Sequence, residues 1–191
     1  IRPEIIDAIM EQMSPEWKVA MRFACTTGLR QGEQRALTWS CLDLENSQVN
    51  VTRAIKHRAG VGAPKTKTGN RTVPLTRDMV QSLRELFIKR GRPNNPDALV
   101  FCANSGNVRM PSKFLKALHR ACDAAGVERI RWHDLRHFYA SKLLQAYPDD
   151  LWRVRTYMGH ASIAITQSTY GHWIQNEGED TAAVDKLSAI F

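Results

Sequence analysis

Apolar side chains recur every three to four residues over most of the chain, which is the spacing of amphipathic helices. Proline or a capping residue opens several of these segments, and glycine ends others. The pattern predicts helices beginning at Pro3 and, after Ser14, at Pro15, a short helix over Leu29–Leu37, and further helices over Asp78–Lys89, Ser112–Ala125, His133–Ala146, Asp149–Met158, Ser162–Tyr170 and about Thr181–Ile190.

Alternation of polar and apolar residues replaces the helical pattern over Gln48–Ile55, which predicts a strand. Arg71–Leu75 is predicted to return beside it, and Leu99–Phe101 is predicted to form a third, short strand. The segment between the first two, residues 60–69, is rich in glycine and lysine and is expected to be a basic connection. The fold class predicted is therefore mainly α with a small antiparallel β-sheet (α+β).

The charge balance suggests a partner. The 191 residues include 27 Lys and Arg against 19 Asp and Glu, a formal charge of +8. Such an excess favours nucleic acid as a partner, although solubility alone is the alternative explanation. No apolar run is long enough for a membrane helix, so we expect no membrane partner. The chain does not begin with Met, and we expect it to be a piece of a longer protein.

The four cysteines, at positions 25, 41, 102 and 122, do not show the short spacing of a zinc or redox pair. Several lie in apolar runs, so we expect buried thiols in a reducing compartment.

The segment Trp132–His137 is the strongest local signal. His133 and Arg136 are three residues apart at the start of a predicted helix, which places them on one face. An imidazole and a guanidinium at a helix N-terminus can together bind a phosphate. The alternative is an ordinary helix start with a surface arginine.

A second signal is Thr27-Gly28-Leu29-Arg30-Gln31-Gly32-Glu33, where Arg30 lies between two predicted helices and Glu33 is near enough to orient a neighbour. The alternative is a surface ion pair, which stabilises a protein little.

Two further signals are weak in isolation. Lys65 and Lys67 lie in the basic connection, where a flexible loop can carry a lysine into a groove, or simply remain solvated. Tyr170 lies ten positions after His160, close to the end of a predicted helix. The alternative for Tyr170 is an ordinary half-buried tyrosine.

Together, the phrases Thr-Gly-Leu-Arg-Gln-Gly-Glu, His-Asp-Leu-Arg-His and Gly-His-Ala-Ser-Ile, followed by Tyr170, resemble the tyrosine recombinase family of phage integrases and Xer-type enzymes. The resemblance extends from the helix after Pro3 to Tyr170. It implies the catalytic-domain fold of that family over residues 1–172. A tail over residues 173–191 would pack on a neighbouring protomer or on its own domain, and an N-terminal DNA-binding domain would lie outside this chain.

The resemblance also implies a role for each matched residue. The catalytic residues implied are Arg30, Lys67, His133, Arg136, His160 and Tyr170, with Glu33 supporting the site. The basic side chains of Lys65 and Arg71 are expected to contact the DNA backbone. Lys65 is the alternative catalytic lysine, because the segment between Lys67 and Pro74 is one residue shorter than expected. Tyr170 lies one position farther from His160 than in many members of the family.

The activity implied is site-specific recombination of double-stranded DNA attachment sites through a 3′-phosphotyrosyl intermediate, without a metal or other cofactor. It would serve integration or excision of phage or other mobile DNA. We expect a tetramer on DNA, with a monomer possible for the free chain, at the nucleoid in a bacterial cytoplasm. The alternatives are a type IB topoisomerase, a non-catalytic DNA-binding relic, and a metal site at His133, Asp134 and His137.

Overall fold

The computed structural model describes residues 1–56, 60–62, 69–162 and 164. Helices dominate these ranges: α1 is Pro3–Glu11, α2 Pro15–Thr27, α3 Gln31–Arg35, α4 Arg77–Lys89, α5 Pro111–Ala124, α6 Asp134–Ala146 and α7 Leu151–Met158. Proline is the first residue of α1, α2 and α5, where its fixed φ suits the helix and its missing N–H costs nothing.

The strands form two small antiparallel sheets. A three-stranded sheet has the order β1 (Leu42–Asp43), β2 (Gln48–Val51), β5 (Arg71–Pro74). A separate pair joins β3 (Ala54–Lys56) to β4 (Gly60–Gly62). The mainly α fold with a small antiparallel sheet is confirmed.

Alternation within β2 and β5 decides which side chains enter the core. Val49 lies opposite Val73 and Val51 lies opposite Arg71, and all four of these side chains are buried. Because side chains alternate between the two faces of a strand, Arg71 points to the same side as Val73.

The core lies around α2, which packs against α4 and α6, while α1 packs against α5. Phe23, Met21 and Leu135 are fully buried there. A ladder of edge-to-face aromatic rings runs from Trp17 through Phe114 to Trp132, with centroids 5.2 and 4.9 Å apart. This packing fixes the segment that leads into α6. Of the predicted site residues, His133 is the N-cap of that helix and Arg136 lies in its first turn.

Four predicted elements differ in the structure, and one of them is the connection predicted over residues 60–69, whose first three residues form β4. The helix predicted over Leu29–Leu37 is limited to α3, because Arg30 is extended at its start and Leu37 accepts a hydrogen bond from Val100 at its end. The strand predicted over Gln48–Ile55 is broken after Val51, where the chain leaves one sheet for the other.

The fourth difference is the predicted strand over Leu99–Phe101, which is wrong. Leu99 forms an isolated bridge with Thr38 instead. The helices predicted over Ser162–Tyr170 and about Thr181–Ile190 fall almost wholly outside the described residues.

All four cysteines are free and buried, as predicted. Of the helices in the described part of the chain, none has the length and apolar character needed to cross a membrane.

Candidate active site

Arg30 lies in the sharp turn between α2 and α3. Gly28 ends α2 in the left-handed conformation, with φ of +60°, and a Cβ there would lie 2.2 Å from the Tyr139 ring. Arg30 is extended at the N-cap of α3, and its backbone N–H donates to Oε2 of Glu33 at 2.7 Å. The guanidinium of Arg30 also donates to Oε1 of Glu33 at 3.1 Å. The predicted pair therefore exists, and its carboxylate orients Arg30.

Glu33 is not part of a surface ion pair, since its side chain is 2% exposed. Nη1 and Nη2 of Arg71 donate to its two carboxylate oxygens at 3.1 and 2.9 Å. Burial raises the pKa of Glu33, but the hydrogen bonds and charges of Arg71 and Arg30 outweigh it, so the pKa lies below its ordinary value. Glu33 is therefore an ionised carboxylate held between two arginines.

Arg71, which was predicted to contact DNA, is buried in this structure. Its side chain is 2% exposed, and its donors face Glu33 and the carbonyls of Tyr157 and Gly69. The physical reason is the period of β5, which places Arg71 on the inward face beside Val73. The alternation Arg-Thr-Val-Pro-Leu carried this signal in the sequence.

Arg136 is buried on the first turns of α6, with the whole residue 3% exposed. It is therefore not a surface arginine at an ordinary helix start. Its Nη1 donates to the carbonyl of Gly28 and its Nη2 to the carbonyl of Met158, each at 2.5 Å. Arg136 thus joins the turn before Arg30 to the end of α7.

Three arginines of the site donate hydrogen bonds to the end of α7. We call the carbonyl groups of Tyr157, Met158 and Gly159 the carbonyl turn. Their oxygens accept hydrogen bonds from three elements of the fold: Tyr157 from Arg71 Nε at 2.9 Å, Met158 from Arg136 Nη2 at 2.5 Å, and Gly159 from Arg30 Nη2 at 3.1 Å. The C-terminal end of a helix carries partial negative charge, which favours cations there.

His160 follows the carbonyl turn directly and is buried. Desolvation, then the positive charges of Arg136 and Arg30, lower the pKa of His160 to about 4. The imidazole is therefore neutral at pH 7 in the DNA-free protein. A phosphate arriving among these arginines would offset their charge and raise this pKa.

His133 occupies the N-cap position of α6, and its ring lies edge-on to that of His137, with centroids 4.9 Å apart. Partial loss of hydration, then the charges of His137 and Arg136, lower the pKa of His133. A neutral imidazole at this exposed position is able to accept a proton.

Gln34 was missed by sequence reasoning. It is fully buried, accepts a hydrogen bond from Nε1 of Trp132 at 3.0 Å, and donates to the Ala20 carbonyl at 2.7 Å. It links α3 and α2 to the residue that precedes His133. A lone glutamine on a short helix carries no sequence signal for this role.

Three predicted site residues, Lys65, Lys67 and Tyr170, lie outside the described residues. Within the described ranges, no group of three or more His, Cys, Asp or Glu side chains is arranged to hold a metal ion. The alternative metal site at His133, Asp134 and His137 therefore has no ligand set among those residues. Arg30, Glu33, Arg136 and His160 are brought together around the carbonyl turn, and His133 lies on the same helix start as Arg136.

Known proteins share this architecture. The catalytic domain of bacteriophage HP1 integrase superposes with a TM-score of 0.65 at 19% identity, covering 98% of this chain and 95% of that one. A Tn1549 transposon integrase, solved in complex with a circular intermediate DNA, superposes with a TM-score of 0.79 at 19% identity, covering 98% of this chain and 65% of that one. The fold is that of a tyrosine recombinase catalytic domain.

Sequence comparison identifies the family. The model of the phage integrase family matches residues 1–177, so the chain belongs to that family. A XerC-like tyrosine recombinase of Caldanaerobacter subterraneus subsp. tengcongensis is 32% identical over 196 residues, covering 91% of this chain and 49% of the relative. The prophage integrase IntR of Escherichia coli is 26% identical over 199 residues, covering 93% and 48%. The chain thus spans about half the length of these curated relatives.

Proposed function

We propose that this chain is the catalytic domain of a site-specific tyrosine recombinase that cleaves and rejoins double-stranded DNA. One observation carries the proposal: Arg30 and Arg136, far apart in sequence, donate to adjacent carbonyls of one turn, directly before His160. Two permanently charged planar donors beside a neutral imidazole suit a phosphodiester whose negative charge grows during reaction. The family membership of the chain supports the same activity.

In the proposed cleavage step, the phenolic oxygen of Tyr170 attacks phosphorus and the bond from phosphorus to the 5′-oxygen breaks. The phenol proton passes to His133, and Lys67, or alternatively Lys65, gives a proton to the leaving oxygen. The product is a 3′-phosphotyrosyl bond with a free 5′-hydroxyl. Because the phosphodiester energy is kept in the covalent intermediate, rejoining needs no nucleotide cofactor.

The arginines and His160 act on the transition state in this proposal. Loss of one preorganised donor of this kind typically costs about 3–4 kcal/mol of transition-state stabilisation. The lowered pKa of His133 supports its role as the proton acceptor, since it is neutral and available at pH 7. His160 would hydrogen-bond the scissile phosphate.

The test is a suicide duplex in which the short fragment released with the free 5′-hydroxyl diffuses away, followed by denaturing electrophoresis and peptide mapping of the adduct. We expect the covalent phosphate on Tyr170, and we expect Tyr170→Phe to bind DNA but form no adduct. Tyr147→Phe is a matched control, because Tyr147 directly follows α6 and its ring packs against Arg153. Adduct from the Tyr170→Phe protein would refute the assignment.

The partners proposed are attachment-site duplexes and further copies of the chain, forming a tetramer on DNA at the bacterial nucleoid. Residues 1–172 would form the catalytic domain, and residues 173–191 would join neighbouring protomers. Exchange of strands between two labelled duplexes separates recombination from the simple relaxation of a type IB topoisomerase. Affinity that falls steeply with salt is expected if basic side chains track the DNA backbone.

A further inference from the structure

Every guanidinium nitrogen of Arg71 donates a hydrogen bond within the protein. A guanidinium has five N–H donors. For Arg71, Nε donates to Tyr157 O at 2.9 Å, Nη1 donates to Glu33 Oε1 at 3.1 Å and Gly69 O at 3.2 Å, and Nη2 donates to Glu33 Oε2 at 2.9 Å. An arginine bound in this way contacts three segments of its own chain.

The carboxylate of Glu33 links Arg71 to Arg30. Oε1 of Glu33 accepts from the guanidinium of both arginines, and Oε2 accepts from Arg71 and from the backbone N–H of Arg30. The carboxylate therefore cannot rotate without losing bonds to both. Removing Arg71 would leave the buried carboxylate of Glu33 with one guanidinium partner, that of Arg30, whose side chain is 43% exposed.

Arg71 also contacts Gly159, the last residue of the carbonyl turn. Its guanidinium packs against Gly159, where an added Cβ would lie 2.8 Å from Nη1 and 3.0 Å from Cζ. Gly159 O is the acceptor for Arg30, so Arg71 contacts both of the groups that hold Arg30, the Glu33 carboxylate and the residue at the end of α7. Its bond to Gly69 O anchors the chain where β5 begins.

We propose that Arg71 is a positioning residue for DNA cleavage, which sets the guanidinium of Arg30 through Glu33 and Gly159 without touching DNA. The inference rests on the proposed function, because cleavage is the reaction that it serves. A purely structural ion pair would change the stability of the fold and leave the cleavage rate of the folded protein unaltered, whereas loss of a positioning residue lowers that rate.

The first experiment measures single-turnover cleavage of the suicide duplex at saturating protein, under conditions where urea titration shows each variant to be folded. We expect Arg71→Met to lower the saturating rate about 100-fold, the effect of a misplaced catalytic group, with the half-saturating protein concentration within about threefold of wild type. Arg71→Lys keeps the charge but not the planar fork and should recover part of the rate.

Two further variants distinguish coupling between Arg71 and Glu33 from a general loss of stability. Glu33→Gln combined with Arg71→Met should be no slower than the slower single variant, because both act through one path to Arg30. Arg109→Met is the matched control: Arg109 is also a largely buried arginine paired with a glutamate, Glu16, at the start of α2. It should lose stability and keep the wild-type rate.

A second readout does not depend on cleavage. Relaxation of the ¹⁵Nε–¹Hε group of Arg30 reports the order of its guanidinium, which should fall in Arg71→Met and stay at the wild-type level in Arg109→Met. If wild type forms no adduct, the proposed function fails and this measurement still decides the positioning role.

Three results would overturn the inference. One is a wild-type cleavage rate in folded Arg71→Met together with unchanged order at Arg30. Another is multiplication of the Glu33 and Arg71 effects in the double variant. The third is a loss confined to DNA affinity, with a shallower salt dependence, since this would show that Arg71 contacts a phosphate.

Discussion

Gly159→Ala tests whether the carbonyl turn depends on close packing by Arg71. Gly159 ends α7 with φ of +62°, and the new Cβ would lie 2.8 Å from Nη1 of Arg71. Gly126, just after α5, is a matched control, because its φ is +67° and nothing lies within 4 Å of the Cβ that alanine would add. The two variants share the cost of a left-handed alanine and differ in the collision with Arg71.

The magnitudes follow from this difference. Gly126→Ala should lower the free energy of unfolding by about 1–2 kcal/mol, the cost of an L-residue in the left-handed region. Gly159→Ala should lose about 1–3 kcal/mol more, because the guanidinium of Arg71 must move from a buried carboxylate. Displacement of Arg71 frees Glu33 and then Arg30, so we also expect cleavage to slow roughly 100-fold.

Urea titration of the two variants measures the first quantity, and single-turnover cleavage of a suicide duplex by folded protein measures the second. Gly126→Ala should cleave at the wild-type rate once it is folded. Equal stability losses in the two variants, together with wild-type cleavage by Gly159→Ala, would show that the carbonyl turn tolerates displacement of Arg71 and would refute the reasoning.

Three other predictions concern separate parts of the site. Arg136→Lys should slow cleavage about 100- to 1000-fold, because an ammonium cannot keep both carbonyl bonds and grip a phosphate; near-normal cleavage with unchanged DNA affinity would contradict this. The pKa of His160 is about 4 in the folded chain against an ordinary 6.5, so the unfolded chain takes up the proton first, and the free energy of unfolding should fall by up to ~3 kcal/mol as pH drops from 6.5 to 4. His160→Asn should flatten this dependence in urea titrations at stepped pH, and an unchanged slope would count against the lowered pKa. Gln34→Leu should cost about 1–3 kcal/mol, because the buried indole N–H of Trp132 loses its acceptor, and adding Trp132→Phe should restore part of the loss; strictly additive losses would argue against that bond.

Much of the fold could be predicted because local chemistry specified it. Proline at the start of α1, α2 and α5 and glycine after α2 and α7 mark helix ends by their own backbone preferences. The strand predicted over Leu99–Phe101 failed because a short apolar run does not reveal whether a partner strand will pair with it.

The sequence predicted those site residues that occur in short, recognisable sequence motifs. Arg30 and Arg136 donate to adjacent carbonyls and Glu33 holds Arg30, while the catalytic roles of these residues stay predictions. Arg71 was predicted to contact DNA from its charge, and the alternation along β5 accounts for the burial of its side chain. The indole bond of Gln34 joins distant segments, and no local pattern reports such a contact.

The carbonyl turn has a consequence for how this site can diverge. Its acceptors are main-chain oxygens, which every amino acid provides, so the three hydrogen bonds to arginine do not depend on which side chains stand at positions 157 and 158. Position 159 is the exception, because a side chain there would enter the space of a guanidinium. A site anchored on backbone leaves little trace in an alignment, and distant relatives can keep its geometry while sharing few residues of the helix that organises it.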